Sequence, residues 1–214
     1  MKHHGEGVWH WPGWGRLGYA LLLAGTVSLW FAVVFVGADQ VTARRSFRVR
    51  VHLDAELRTP FAPAAVLGYL SLYGLFAAPP FILRTRGELR ALAAALAAVI
   101  AVAGICFLLV PVQVAFPAAG DTGAWTGLVR FAKYVALRNN LLPSLHVALG
   151  VVCVAVLAGR VGWRGRVVLW LWAVAIGVSA LLLHQHYLLD VLAGFGLGWL
   201  GFRWVYCRRT RGRA

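Results

Sequence analysis

The sequence predicts an all-α integral membrane protein, a six-helix bundle forming one domain, and three observations predict it. Hydrophobic residues make up 61% of the chain and charged residues 13%, with a mean hydropathy of +0.74, whereas the apolar share of a soluble domain is about half. The apolar residues come in long runs rather than the period-2 alternation of an outer-membrane strand. These runs approach the roughly 20 residues that a helix needs to cross a hydrocarbon core of about 30 Å.

In order, the spans read as Leu17–Gly37, Ala62–Leu83, Leu89–Val110, Leu145–Ala158, Val167–Leu183 and Leu188–Val205. The stretch 1–16 precedes them as a Trp- and Gly-rich leader. It lacks the apolar core of a signal peptide, and His3, His4 and His10 are expected in an interfacial segment with Trp at headgroup depth rather than in a metal site. Residues 206–214 form a basic tail. Cys106, Cys153 and Cys207 are scattered, without ligand spacing or a disulfide framework.

The formal charge of +14 would suggest nucleic acid in a soluble protein, but no binding module accompanies it and the arginines flank apolar runs. Positive loops orient a membrane protein and touch anionic headgroups. Thirteen of the 21 basic residues fall on the side of the two termini: Lys2 and Arg16, then the clusters at 84–90, 160–166 and 203–213. The other eight lie in the two long loops, which translocate more tolerantly. Both termini are therefore expected in the cytoplasm of a multi-pass cell-membrane protein. In the first long loop, Arg44 to Pro60 alternates briefly and reads as extended or interfacial. In the second, Asp121 to Asn140 carries Trp125, Leu128, Phe131 and Tyr134 at near-helical spacing, as a surface helix lying over the bundle would.

Ionisable groups near spans are costly, so each is a functional candidate. One cluster, Asn140-Leu141-Leu142-Pro143-Ser144-Leu145-His146, opens span four. The other, from Ser179 through His184-Gln185-His186-Tyr187 to Asp190, joins spans five and six. At both places an odd span ends and an even one begins, so both clusters are expected on the same, non-cytoplasmic face. His186 and Asp190 are four apart, which lets the carboxylate orient the imidazole and leaves the other ring nitrogen as nucleophile or base. Ser144 after Pro143 suits an N-cap, where free amides attract an anion such as phosphate, and His146 has the chemistry to protonate a leaving oxygen. Plainer readings stay open: Ser144 as a cap only, His146 bonded to a carbonyl of another helix, His186 with Asp190 as a polar clasp. Metal ligation by His184, Gln185 and His186 with Asp190 is disfavoured, since a tetrahedral site wants a full ligand set and the cluster has few candidates beyond His146, and no cofactor is expected.

Pro143-Ser144-Leu145-His146, followed by Ser179-x6-His186-x3-Asp190, resembles the second and third signature motifs of the type 2 phosphatidic acid phosphatase superfamily, and is most similar to its inositol-phosphorylceramide-synthase-like (inositolphosphotransferase) branch. The similarity extends over roughly residues 60 to 200, including Tyr69-Leu70-Ser71-Leu72-Tyr73, Phe107-Leu108-Leu109-Val110-Pro111 and Asn140. It implies a phosphatidic acid phosphatase type 2/haloperoxidase-like core acting, without metal, on a lipid phosphate or pyrophosphate. His186 would form a phosphohistidine, Asp190 would orient it and His146 would protonate the leaving alcohol. Water or an alcohol would then take the phosphoryl group, making the enzyme a phosphatase or a headgroup transferase. The chain departs from the pattern where Ala180 replaces the Arg of the third motif and where the first motif, with its Lys and Arg, has no recognisable counterpart. Arg138 is the best candidate replacement, with Lys133 and Arg130 behind it, and Ser144, Arg138 and Asn140 are the expected phosphate-binding residues. A non-catalytic lipid-binding or transport scaffold is the reading from another class.

Overall fold

The computed structural model describes residues 8–116 and 122–211; Lys2, His3, His4, Asp121 and Arg213 lie outside them. Among the described residues every regular element is helical, apart from one isolated parallel bridge between Val49 and Val112. Four helices are long and apolar enough to cross a membrane: Trp14–Ala43, Arg86–Leu109, Trp163–Leu182 and Leu188–Arg211. Two shorter apolar helical stretches, Pro63–Ala77 and Leu145–Ala158, accompany them.

Helix α1 (Trp14–Ala43) starts three residues before the expected span and ends six after it; its 30 residues make a rod of about 45 Å. It is apolar on every side, and only Ala20, Phe35, Ala38 and Thr42 are buried. The expected second span is not one helix. It breaks into a 3-10 turn (Pro63–Ala65), α2 (Val66–Leu70), α3 (Leu72–Ala77) and α4 (Pro79–Ile82). The breaks have local causes: the Ser71 hydroxyl donates back to the Gly68 carbonyl at 2.6 Å, and Pro79 and Pro80 remove two backbone donors in succession.

Helix α5 (Arg86–Leu109) opens on a capping box. Thr85 Oγ1 accepts from the Glu88 amide at 3.1 Å and Glu88 Oε2 accepts from the Thr85 amide at 2.9 Å, which satisfies two of the first turn's donors. Glu88 is also ion-paired with Arg160 at the same end of the bundle. Helix α1 lies along α5, where the Trp30 indole donates to the Ala97 carbonyl at 3.0 Å and Val34 occupies the place a side chain on Gly104 would need.

Helix α6 (Thr126–Ala136) lies within the stretch read as a surface helix. Val129 and Ala132 pack against Val66, Tyr69, Ala180 and Leu183, while Leu128, Phe131 and Tyr134 are exposed. Spacing alone identified an apolar stripe, and in a membrane protein such a stripe can face outward.

Helix α7 (Leu145–Ala158) is the centre of the molecule: every residue in it except His146 is buried. Its 14 residues span only about 21 Å, because the irregular segment before it, with Asn140, Leu141 and Ser144 buried, dips into the protein. Non-helical backbone at that depth is tolerated where protein encloses it. Helices α8 (Trp163–Leu182) and α9 (Leu188–Leu200) flank α7, and α9 continues through a π-helical turn, Gly201–Tyr206, into α10 (Cys207–Arg211). The α7–α9 contact is close because α9 presents glycines to it: a β-carbon on Gly194 would stand 2.5 Å from the Ser144 carbonyl oxygen, and one on Gly198 2.4 Å from that of Ala148.

Candidate active site

The two polar clusters meet where α7 begins and α8 gives way to α9. Ser144 caps α7, its Oγ accepting from the Val147 amide at 3.4 Å, and its own amide donates to the Asp190 main-chain oxygen at 2.8 Å. Gly194, one turn beyond Asp190, makes that approach possible.

His184 adopts the left-handed conformation, with φ of 54°, and turns the chain out of α8. Its ring is occupied structurally: Nε2 lies 2.9 Å from the Thr59 carbonyl, and the imidazole stacks on Phe116 at 4.5 Å. The next residues swing His186 inward to 5% exposure above Asp190 at 0%. His186 Nδ1 and Asp190 Oδ2 are 3.6 Å apart, just outside hydrogen-bond reach, and Oδ2 meanwhile accepts from the Tyr187 amide at 2.8 Å. His186 Nδ1 and Asp190 Oδ1 are both buried without a partner. Buried polar atoms are rarely left so, and catalytic hydrogen bonds commonly tighten only when substrate arrives.

His146 lies flat on the Tyr69 ring, 3.8 Å between centroids and 6° between planes. Its Nε2 sits 2.7 Å from the Tyr69 carbonyl oxygen. A carbonyl only accepts, so Nε2 carries a proton and donates, and Nδ1 is the nitrogen left for chemistry.

Tyr187, Glu56 and His52 complete the surroundings, and of these only Tyr187 falls in a cluster visible in the sequence. Tyr187 is fully buried and stacks between Phe116 at 4.5 Å and His52 at 4.9 Å. Its hydroxyl accepts from the Ala115 amide at 2.8 Å and donates to the Gln113 carbonyl at 3.3 Å, clamping the second long loop over the site. Burial pushes its phenol pKa up, partly offset by the Ala115 bond. Glu56 accepts from the Leu188 amide at 2.6 Å, so two carboxylates, Glu56 and Asp190, meet the donor-rich first turn of α9. The signal for Tyr187 was the aromatic between His186 and Asp190; Glu56 and His52, far away in sequence, carried none.

His146, His186 and Asn140 line the polar end of a cavity of about 670 Å³ whose remaining walls come mainly from apolar residues of α1, α3, α4, α5 and α7. Asn140 is held by its Nδ2 donating to the Phe35 carbonyl at 2.6 Å, which leaves Oδ1 buried and unpartnered. Among the described residues no Arg or Lys lines this cavity. Arg138 is exposed; its backbone amide points to Asp39 at 3.3 Å, beside the Asn139 amide at 2.7 Å. Arg130 is exposed, and Lys133 places its ammonium 5.5 Å over the Phe61 ring. Arg48, unremarked in the sequence, donates to the Thr42 carbonyl at 2.8 Å and to Asn139 Oδ1 at 3.5 Å. Among the described residues no group of three or more His, Cys, Asp or Glu side chains is arranged to hold a metal.

Compared with known protein families, residues 91–213 match the PAP2 superfamily, a stretch that contains both clusters. No solved structure matches the chain.

Proposed function

The chain belongs to the PAP2 superfamily, and on that premise we propose that it is a metal-independent membrane enzyme transferring the phosphoryl group of a lipid phosphate or pyrophosphate through a phosphohistidine on His186. The observation that carries this reading is the shared cavity, with two imidazoles and an amide at one end and hydrocarbon walls along the rest, and with Asp190, one carboxylate oxygen unpartnered, buried behind His186. His186 Nε2 attacks phosphorus while its Nδ1–H is held by Asp190. The anionic phosphate draws a solvent proton onto Nδ1 of His146, whose Nε2–H stays on the Tyr69 carbonyl; the bond from phosphorus to the lipid oxygen then breaks, and that oxygen takes the proton from Nδ1. Water or an alcohol then gives up a proton to the same nitrogen and attacks phosphorus, and the P–N bond breaks to return the electron pair to His186. The amides at the start of α7, capped by Ser144, supply donors that face phosphate oxygens. Arg138 enters this scheme as a cation at the mouth rather than in the wall.

The active site opens on the non-cytoplasmic side with both termini cytoplasmic, on the reading that α2–α4 and α7 each count as a crossing and make six. Support comes from Arg84, Arg86, Arg160 and Arg164, gathered at the end of the bundle opposite His186 and marked by the Glu88–Arg160 pair. Headgroup transfer of the inositol-phosphate type is the second reading. Ala180 favours it, being fully buried among Val66, Tyr69 and Leu183, where a phosphatase of this family would carry Arg. The test is phosphate release and headgroup exchange measured with EDTA on lipid phosphates, phospholipids and prenyl pyrophosphates. Turnover that survives EDTA and is lost in His186→Ala supports the reading. Turnover persisting in that variant overturns it.

A further inference from the structure

The turn that carries His186 is gripped from outside by the first long loop, and the contacts fall on either side of His186. On one side, His184 Nε2 lies 2.9 Å from the Thr59 carbonyl. On the other, His52 stacks on Tyr187 at 4.9 Å, and Glu56 reaches the start of α9. Glu56 Oε1 accepts from the Leu188 amide at 2.6 Å and its Oε2 accepts from the Leu53 amide at 2.7 Å. One carboxylate thus ties the loop to the helix.

Leu188 is the first residue of α9, and its amide is among the donors that a helix cannot satisfy from within. Asp190, two residues on, already gives Oδ2 to the Tyr187 amide at 2.8 Å. Its Oδ1 is buried and unpartnered, on a side chain 3.6 Å from His186 Nδ1. An open donor at Leu188 would draw that carboxylate, since acidic groups are attracted to a helix N-terminus. Glu56 answers the donor from outside the helix and leaves Asp190 beside His186.

We propose that Glu56 is a positioning residue for phosphoryl transfer: by accepting from the Leu188 amide it fixes the start of α9 and reserves the Asp190 carboxylate for His186. This rests on the proposed chemistry at His186 and adds a residue that acts on the nucleophile through another. Asp54 is the natural comparison, because it lies in the same loop but is exposed and paired with Arg50.

The experiment measures kcat and KM on dipalmitoyl phosphatidic acid, farnesyl pyrophosphate and p-nitrophenyl phosphate in detergent micelles. The single variants are Glu56→Ala, Leu188→Pro, Asp54→Ala, Asp190→Asn and His186→Ala, and Glu56→Ala is also combined with Leu188→Pro and with Asp190→Asn. Proline is well accommodated at the first helical position, where it removes the amide. Tyr187 before it is already extended, with φ of −92° and ψ of 165°, as a residue preceding proline should be. Leu188→Pro therefore deletes the same bond from the other side. Glu56→Ala is expected to lower kcat about tenfold with KM within about twofold of wild type, and Leu188→Pro to do the same. Glu56→Ala adds no further loss to Leu188→Pro or to Asp190→Asn, because residues acting as one unit are not additive. Asp54→Ala leaves both constants unchanged. Wild-type kcat in Glu56→Ala or Leu188→Pro, a loss confined to KM, or a full loss repeated on Asp190→Asn overturns the inference while leaving phosphoryl transfer standing. An equal fall in Asp54→Ala also overturns it, since the loop as a whole then carries the effect. Absence of His186-dependent turnover on all three compounds overturns the proposed function, and the inference with it.

Discussion

Helices α1 and α7 are both apolar on all sides, yet they occupy opposite places in the molecule. In α7 every residue but His146 is buried, whereas along 30 residues of α1 only four are. Neither has the one-sided stripe that tells a soluble helix which way to face. Lipid is as apolar as a protein core, so hydrophobicity stops distinguishing inside from outside, and fit takes over. Of the proposed site, Ser144 and His146 belong to the helix whose surroundings are fixed on every side, and His186 and Asp190 reach it from the start of α9. The cavity beside it is walled by the helix with the fewest constraints. Full burial and an open apolar surface are thus divided between two helices of similar composition.

The comparison is broken most severely at His186. His186→Ala is expected to lower turnover by at least about 10⁴-fold, as loss of a nucleophile does, while helical content and elution in detergent stay as in the wild type, measured by circular dichroism and gel filtration. Asp190→Asn removes the charge that orients His186 and keeps the shape, and a loss of about 10²- to 10⁴-fold in kcat with little change in KM is expected. Next is Gly194→Ala, whose β-carbon would meet the Ser144 carbonyl oxygen at 2.5 Å. Forcing backbone apart there is expected to cost about 1–3 kcal/mol of stability and to lower turnover with it. Gly25→Ala on α1, where nothing lies within 4 Å, should leave stability unchanged or raise it by up to about 1 kcal/mol. Thermal denaturation of the pair reads the contrast directly, and equal losses would contradict the division between the two helices. Smallest is Arg138→Ala, expected to change kcat/KM by less than about threefold, since an exposed charge is screened and lies outside the cavity.

Much of this was legible in the sequence, and what was not has physical reasons. Long apolar runs placed α1, α5, α7, α8 and α9, because the bilayer sets a minimum length for each. The parity of the loops placed the 143–146 and 186–190 clusters at one end, where Ser144 and Asp190 are joined through their main chains. The expected span Ala62–Leu83 is fragmented, and the local breakers Ser71, Pro79 and Pro80 were already visible in it. The orientation of α6 was illegible because Leu128, Phe131 and Tyr134 suit a membrane interface as well as a core. His52, Glu56 and Arg48 went unnoticed for another reason: their partners Tyr187, Leu188 and Asn139 are distant in sequence, and one chain read alone gives no hint of such pairings. Arg138 is near Ser144 in sequence, but its side chain lies outside the cavity wall.

The most direct test is to trap the covalent intermediate. Wild-type protein mixed with a radiolabelled prenyl phosphate or pyrophosphate and quenched at alkaline pH, where phosphohistidine survives, should carry label on the peptide containing His186, lose it on acid treatment, and carry none in His186→Ala. Label on another residue, or turnover with no labelled enzyme at any quench time, would contradict a phosphohistidine on His186.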